Sequence, residues 1–145
     1  MKVDQLLPPI VVVDDNDDDV TLLSRQLKAA GVKHPLLHFR NGGDAFMFLK
    51  QFCPPASTRV TMPVIVFLDV NMQGLSGFDV LVWARQQPAL AGIKFYMLSG
   101  AREEWDAQIA AKLGANDYFE KFPDPTVLAG LVAKPSPGFL AEKRD

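Results

Sequence analysis

Short unbroken apolar runs alternate along this chain with longer stretches in which apolar residues recur at helical spacing. Ile10-Val11-Val12-Val13 is a β-branched run that stops at Asp14, and Leu36–Phe39 is a weaker second run. Val64–Leu68 stops at Asp69, Phe95–Leu98 at Ser99, and Asp117–Glu120 at Lys121. Runs of this length and apolarity suit strands buried on both faces, as a parallel sheet requires. Between them, Val20, Leu23, Leu27 and Ala30 follow a helical period, with Gly31 as a C-terminal stop. A second helical segment carries Ala45, Phe46, Phe48 and Leu49 and ends before Pro54-Pro55. A third carries Phe78, Leu81, Val82 and Arg85 and stops before Pro88. Trp105, Ile109 and Leu113 mark a fourth, closed by Gly114, and residues 126–133 a fifth, cut off by Pro135 and Pro137. Five strand-then-helix units predict an α/β sandwich with right-handed crossovers. Residues 54–63 read as a loop, and 134–145, with Pro, Gly and mixed charge, as a short tail.

Length and composition narrow the picture. At 145 residues the chain suits one domain with one sizeable core. With 48% hydrophobic and 22% charged residues it is neither disordered nor fibrous. A net charge of -2 lacks the basic footprint of a nucleic-acid binder. The single cysteine, Cys53, forms no internal disulfide, so nothing points to a secreted scaffold. The apolar runs fall far short of the roughly 18 residues of a membrane span, and the N-terminus does not read as a signal peptide. Neither nucleic acid nor membrane is expected as a partner, and the cytoplasm is the expected compartment.

The residues that terminate the apolar runs carry the chemistry. The first run ends in Asp14-Asp15, the third in Asp69, the fourth in Ser99 and the fifth in Lys121. In an open parallel sheet these carboxyl ends converge on one edge, where ligands bind. Clustered carboxylates repel unless a cation sits among them, and oxygen-only donors fit a hard ion such as Mg²⁺. A lysine and a hydroxyl opposite the metal suit the oxygens of a phosphoryl group. Each residue also has a plainer reading. Asp17, Asp18 and Asp19 read as the acidic first turn of a helix. Asp14 and Asp15 taken alone read equally well as a strand end, and Ser99 as turn chemistry. An EF-hand loop is rejected, because counting from either aspartate puts Asp19 or Val20 where Gly is needed and Arg25 or Gln26 where Glu is needed. His34 and His38 read as turn and strand residues, Trp83 as packing, and Cys53 as a small hydrophobe. What lifts the set is that all four signals fall at the same end of successive strands.

On these residues the sequence resembles the receiver domain of bacterial two-component response regulators. The matching stretches are Val12-Val13-Asp14-Asp15, Phe67–Met72, Gly77, Met97–Ala101 and Gly114–Lys121, spread over residues 8–133. The resemblance implies a flavodoxin-like, doubly wound, five-stranded parallel sheet of order 2-1-3-4-5. It implies a stand-alone receiver whose Asp69 accepts a phosphoryl group from a sensor histidine kinase or a histidine phosphotransferase. Asp14, Asp15 and Asp69, with the backbone carbonyl of Asn71, would hold Mg²⁺. Ser99 and Lys121 would follow and pair with the phosphoryl group, and Ser99 and Tyr118 would form the switch. Such a chain is not an enzyme in the usual sense, since it catalyses only its own phosphorylation and dephosphorylation. Output is expected through protein contacts, a homodimer among them, with Trp105, Tyr118 and Phe122 as an aromatic group on the switched face.

The chain departs from the family pattern in places. Gln73 stands where Pro often follows Met. Phe122 separates Lys121 from Pro123, so no cis Lys-Pro bond can form, and the state of Phe122–Pro123 is open. The resemblance implies that Asn71 and Ala101 flank the path of the attacking water; Ala101 is too small to block it, so the phosphoryl group is not expected to be unusually long-lived. The run from Asp14 to Val20 and the loop at 54–63 are similar to single-domain regulators paired with phytochrome-type kinases. Three rivals stand beside this reading. Asp17-Asp18-Asp19-Val20-Thr21 fits the D-x-D-x-T pattern of haloacid-dehalogenase-type phosphatases, but lies four residues past its strand. A receiver-like binding module without phosphorylation would need a degenerate set, and a flavin-binding flavodoxin would need a phosphate loop.

Overall fold

The computed structural model describes residues 7–56, 58–72, 74–100 and 104–133. The expected tail at 134–145, and Gln73 and Ala101, lie outside them. Strands β1 (Ile10–Val13), β2 (Leu36–Phe39), β3 (Ile65–Asp69), β4 (Lys94–Ser99) and β5 (Asp117–Glu120) alternate with helices α1 (Asp17–Ala29), α2 (Gly42–Lys50), α3 (Gly77–Arg85), α4 (Glu104–Leu113) and α5 (Pro125–Ala133). All four strand pairings are parallel and the order is β2-β1-β3-β4-β5. The fold class and strand order expected from the sequence are both found.

β1, β3 and the interior of β4 are apolar because both their faces are covered, whereas the edge strands β2 and β5 carry His38, Asp117 and Glu120 and are only partly buried. Val11, Val13, Val66, Leu68, Phe95, Met97 and Tyr118 point to one face, against Ala45, Leu49, Val80, Leu81, Ala84 and Ala110 of α2, α3 and α4. Ile10, Val12, Ile65, Phe67, Tyr96 and Leu98 point to the other, against Val20, Leu23, Leu27, Leu128 and Leu131 of α1 and α5. The alternation is that of a pleated strand, with successive side chains on opposite faces. Its consequence is two cores rather than one. Tyr118, buried to 1% exposure, belongs to the first core, whereas Phe122 packs against the second. The aromatic group expected on one switched face is therefore divided by the sheet, and the side chain of Trp105 lies outside the described residues.

Local chemistry sets the element ends that border the site. Asn16 caps α1, its side chain accepting from the Asp19 N–H at 3.0 Å, and Gly31 follows the helix at a φ of 83° that favours glycine. Ser76 and Asp79 form a capping box at the start of α3. Gly77 opens that helix against the end of β3, so closely that a Cβ there would run into the Asp69 carbonyl oxygen. Arg85 at the other end of α3 donates to the Gly114 carbonyl at 2.8 Å and to Asn116 Oδ1 at 2.8 Å, fixing the turn that feeds β5. A 3₁₀ turn at Pro88–Leu90 follows α3, where the sequence pattern offered only a stop. Among the described residues the cis peptide bonds are Pro54–Pro55 and Lys121–Phe122. The bond after Lys121 is thus cis although no proline follows it, and Phe122–Pro123 is not.

Candidate functional site

Parallel pairing in register brings the strand ends to one edge. Val13 is paired with Leu68, Asp69 with Leu98 and Ser99 with Glu120. The ladder continues one residue past β1, β3 and β5, so that the last residue of a strand or the one after it carries the site. The Asp14 N–H donates to the Phe39 carbonyl at 3.0 Å, the Val70 N–H to Leu98 at 2.9 Å and the Lys121 N–H to Ser99 at 2.6 Å. The positions of Asp14, Asp69, Ser99 and Lys121 are therefore fixed by backbone hydrogen bonds of the sheet rather than by free loops.

Asp14, Asp69 and Ser99 are the buried polar side chains of the described core, at 2%, 4% and 2% exposure. Asp15 is exposed. Carboxylate oxygens of Asp14, Asp15 and Asp69 lie within 4.8 Å of one another. The Lys121 ammonium lies 2.8 Å from Asp14 Oδ2 and 3.4 Å from Asp69 Oδ1. The Asn71 N–H donates to Asp69 Oδ1 at 3.3 Å, and Asn71 itself is exposed. Burial and the adjacent Asp14 charge push the Asp69 carboxyl up to about 6, against the opposing pull of Lys121 and the Asn71 N–H. Burial would pull the Lys121 ammonium down, but hydrogen bonds to Asp14 and Asp19 and the nearby Asp69 charge overcome it and hold the group above its ordinary range. The site thus holds more negative charge than one lysine neutralises. Three convergent carboxylates with no nitrogen or sulfur donor among them suit a divalent cation that prefers oxygen.

Two contributors escaped the sequence reading. Asp19, read as a first-turn acid, reaches Lys121 Nζ at 2.8 Å. The signal that finds it is the helix period: Asp19 precedes Leu23 by one turn, on the margin of the buried stripe Val20–Leu23–Leu27. His38, read as a strand residue, places Nε2 2.7 Å from the Asp14 carbonyl oxygen, so that nitrogen carries the proton and donates. Asp17 does behave as a first-turn acid, and its carboxylate also pairs with Arg40 beyond β2.

A parallel sheet of this order, with buried carboxylates and a lysine at its carboxyl edge, defines a class that the comparisons identify. The family model described as the response regulator receiver domain matches residues 10–133. The response regulator Rcp1 of Synechocystis sp. is 30% identical over 120 residues, covering 81% of this chain and 80% of that protein. The solved Mn²⁺-bound form of Rcp1 superposes with a TM-score of 0.72 at 25% identity, covering 91% of this chain and 96% of that one. The bacteriophytochrome response regulator AtBRR gives 0.74 at 25% identity, with 92% and 94% covered. The phosphorylated cyanobacterial phytochrome response regulator RcpA gives 0.70 at 26% identity, with 87% and 89% covered. The chain belongs to the response regulator receiver family, the phosphoryl-accepting modules of two-component signalling. Bacteriophytochrome and cyanobacterial phytochrome response regulators are among its likenesses. No helix among the described residues is long and apolar enough to cross a membrane.

Proposed function

We propose that Asp69 is the phosphoacceptor and that the donor is a phosphohistidine on a sensor histidine kinase or histidine phosphotransferase, a phytochrome-type kinase being the first candidate. The observation that carries this reading is the convergence of Asp69 with Lys121 and the Asp14–Asp15 pair at the end of the central strand. A carboxylate oxygen of Asp69 attacks phosphorus and the P–N bond of the donor breaks. The electron pair goes to the imidazole nitrogen, which takes up a proton, and an acyl phosphate remains on Asp69. Nothing else is turned over, so the chain acts as a catalyst only on itself.

The other residues take their roles from their places. Asp14, Asp15 and Asp69, with the Asn71 carbonyl, would hold Mg²⁺, and their all-oxygen chemistry fits that ion. Bound there, Mg²⁺ would neutralise charge on the transferring phosphoryl oxygens. Lys121 pairs with the same oxygens from the β5 side, and the Ser99 hydroxyl donates to one of them once the acyl phosphate has formed. Tyr118, two strands from Asp69 and buried on the face that α4 covers, repacks when Ser99 moves. Output then runs through protein contacts on the α4–β5 side, a second copy of the chain being one such partner. The deciding experiment is intact mass after incubation with acetyl phosphate and Mg²⁺. One phosphoryl group is expected on the wild type, and none on Asp69→Asn or in EDTA. An undiminished mass increase in Asp69→Asn would overturn the assignment.

A further inference from the structure

Lys121 has more acidic partners than phosphoryl transfer requires. Its ammonium lies 2.8 Å from Asp14 Oδ2, 2.8 Å from Asp19 Oδ2 and 3.4 Å from Asp69 Oδ1. The three partners differ in their access to water. The side chains of Asp14 and Asp69 are 3% and 5% exposed, that of Asp19 27%. Access decides which of them can release the cation. A carboxylate left buried without its partner bears the full cost of lost hydration, whereas one that turns to solvent recovers it. Asp14 and Asp69 also belong to the cluster that suits a metal ion; Asp19 does not.

The α1 helix holds Asp19 in place through several contacts. Its N–H is capped by Asn16 at 3.0 Å, and Val20 and Leu23 anchor the first turn in the core. Two turns further along, Gln26 donates to the Pro123 carbonyl at 3.3 Å. The same helix edge therefore grips the segment Lys121–Pro123 at two points, through a side-chain ion pair and a side chain-to-backbone hydrogen bond.

Building on the assignment of Asp69 as phosphoacceptor, we propose that Asp19 is a positioning residue, a releasable counter-ion that holds Lys121 aimed at the site and gives it up when a phosphoryl group arrives. The acyl phosphate carries about 1.5 to 2 negative charges beside the ammonium, where the free Asp69 carboxylate carried one. Its oxygens displace the most exposed competitor, Asp19, which returns to water. Asp19 thus sets how strongly the resting site resists the activated state. Asp19→Asn keeps the size and the capped N–H but removes the competing charge.

The test is binding of beryllofluoride with Mg²⁺ to the full chain, measured by calorimetry, with folding of every variant checked by circular dichroism. Asp19→Asn is expected to bind roughly three- to tenfold more tightly than wild type, a coupling ordinary for residues in direct contact. Asp19→Ala should change in the same direction, and Asp19→Glu should return close to wild type. In a Lys121→Met background the gain from Asp19→Asn should fall to less than half, because the effect passes through the ammonium. Unchanged or weaker binding by Asp19→Asn overturns the proposal, and so does a gain that persists in full without Lys121. Asp69→Asn separates the two levels. Binding lost in that variant supports the phosphoacceptor assignment, so an unresponsive Asp19→Asn then counts against the role of Asp19 alone. Binding retained in Asp69→Asn overturns both.

Discussion

Asp69 shows at the scale of one residue what this site costs the fold. Its carboxyl is raised from an ordinary 3.8 to about 6, first by burial and then by the charge of Asp14. A carboxyl raised on folding binds more protons in the native state between those two values. Stability therefore falls as pH rises from about 4 to about 6, and the penalty stands in full above that. The rise corresponds to about 3 kcal/mol at most. Asp69→Asn keeps an oxygen to accept from the Asn71 N–H and removes the charge. In EDTA at pH 8 it is expected to be more stable than wild type by about 1 to 3 kcal/mol, with the gain shrinking toward pH 4, as read by urea unfolding. A variant equally or less stable at pH 8 would show that Lys121 already compensates the carboxylate. Asp14, Asp69, Ser99 and Lys121 were legible because each breaks an apolar run at the same point. Asp19 was not, because three acids in a first helical turn already have a sufficient local cause, and its partner is far along the chain.

The elements themselves were legible where period and punctuation agree. The β1 and β3 runs are apolar up to the aspartates that end them, and Gly31 stops α1 where only glycine is at ease. What periodicity could not show is how closely one element meets another. Gly77 is the case that matters for function: it opens α3, and a Cβ placed there meets the Asp69 carbonyl, its carbon at 3.1 Å and Met97 Cε at 3.2 Å. Backbone cannot yield as a side chain can, so relief requires moving α3 or Asp69. Gly77→Ala should destabilise the fold by about 2 to 3 kcal/mol and slow phosphorylation by acetyl phosphate about tenfold to a hundredfold, since small misplacements of reacting groups cost that much. Gly92→Ala is the matched control, because a Cβ at Gly92 meets nothing within 4 Å, and its effect should stay within about 0.5 kcal/mol. Equal behaviour of the two variants would contradict the close packing of α3 on β3.

For the molecule as a whole, the two cores and the acidic edge are coupled. The central strands β1 and β3 are buried on both faces, so they carry apolar residues up to the aspartates at their carboxyl ends, and the buried polar side chains gather at that edge. The strand-and-helix alternation was readable from periodicity, whereas the order of strands came with the family resemblance, because spacing along the chain does not say which strands are neighbours. The division of Tyr118 and Phe122 between the cores is not given by the pleat, which would put residues four apart on one face; Phe122 lies past the end of β5, where the alternation no longer holds. This architecture makes the native state, and not the unfolded chain, the form that gathers Asp14, Asp15 and Asp69 within 4.8 Å. Any ion that binds the cluster must then stabilise the whole fold by mass action, by about 2.7 kcal/mol at a hundred times its dissociation constant. Mg²⁺ is expected to raise the urea midpoint at pH 8. The proton on Asp69 competes with it below about pH 6, so the gain should shrink markedly at pH 5. Asp15→Asn removes an exposed carboxylate that packs in neither core, so its metal-free stability should stay close to wild type while the Mg²⁺ gain falls. A gain equal at pH 5 and pH 8, or undiminished in Asp15→Asn, would mean that Mg²⁺ acts on the chain somewhere other than this edge.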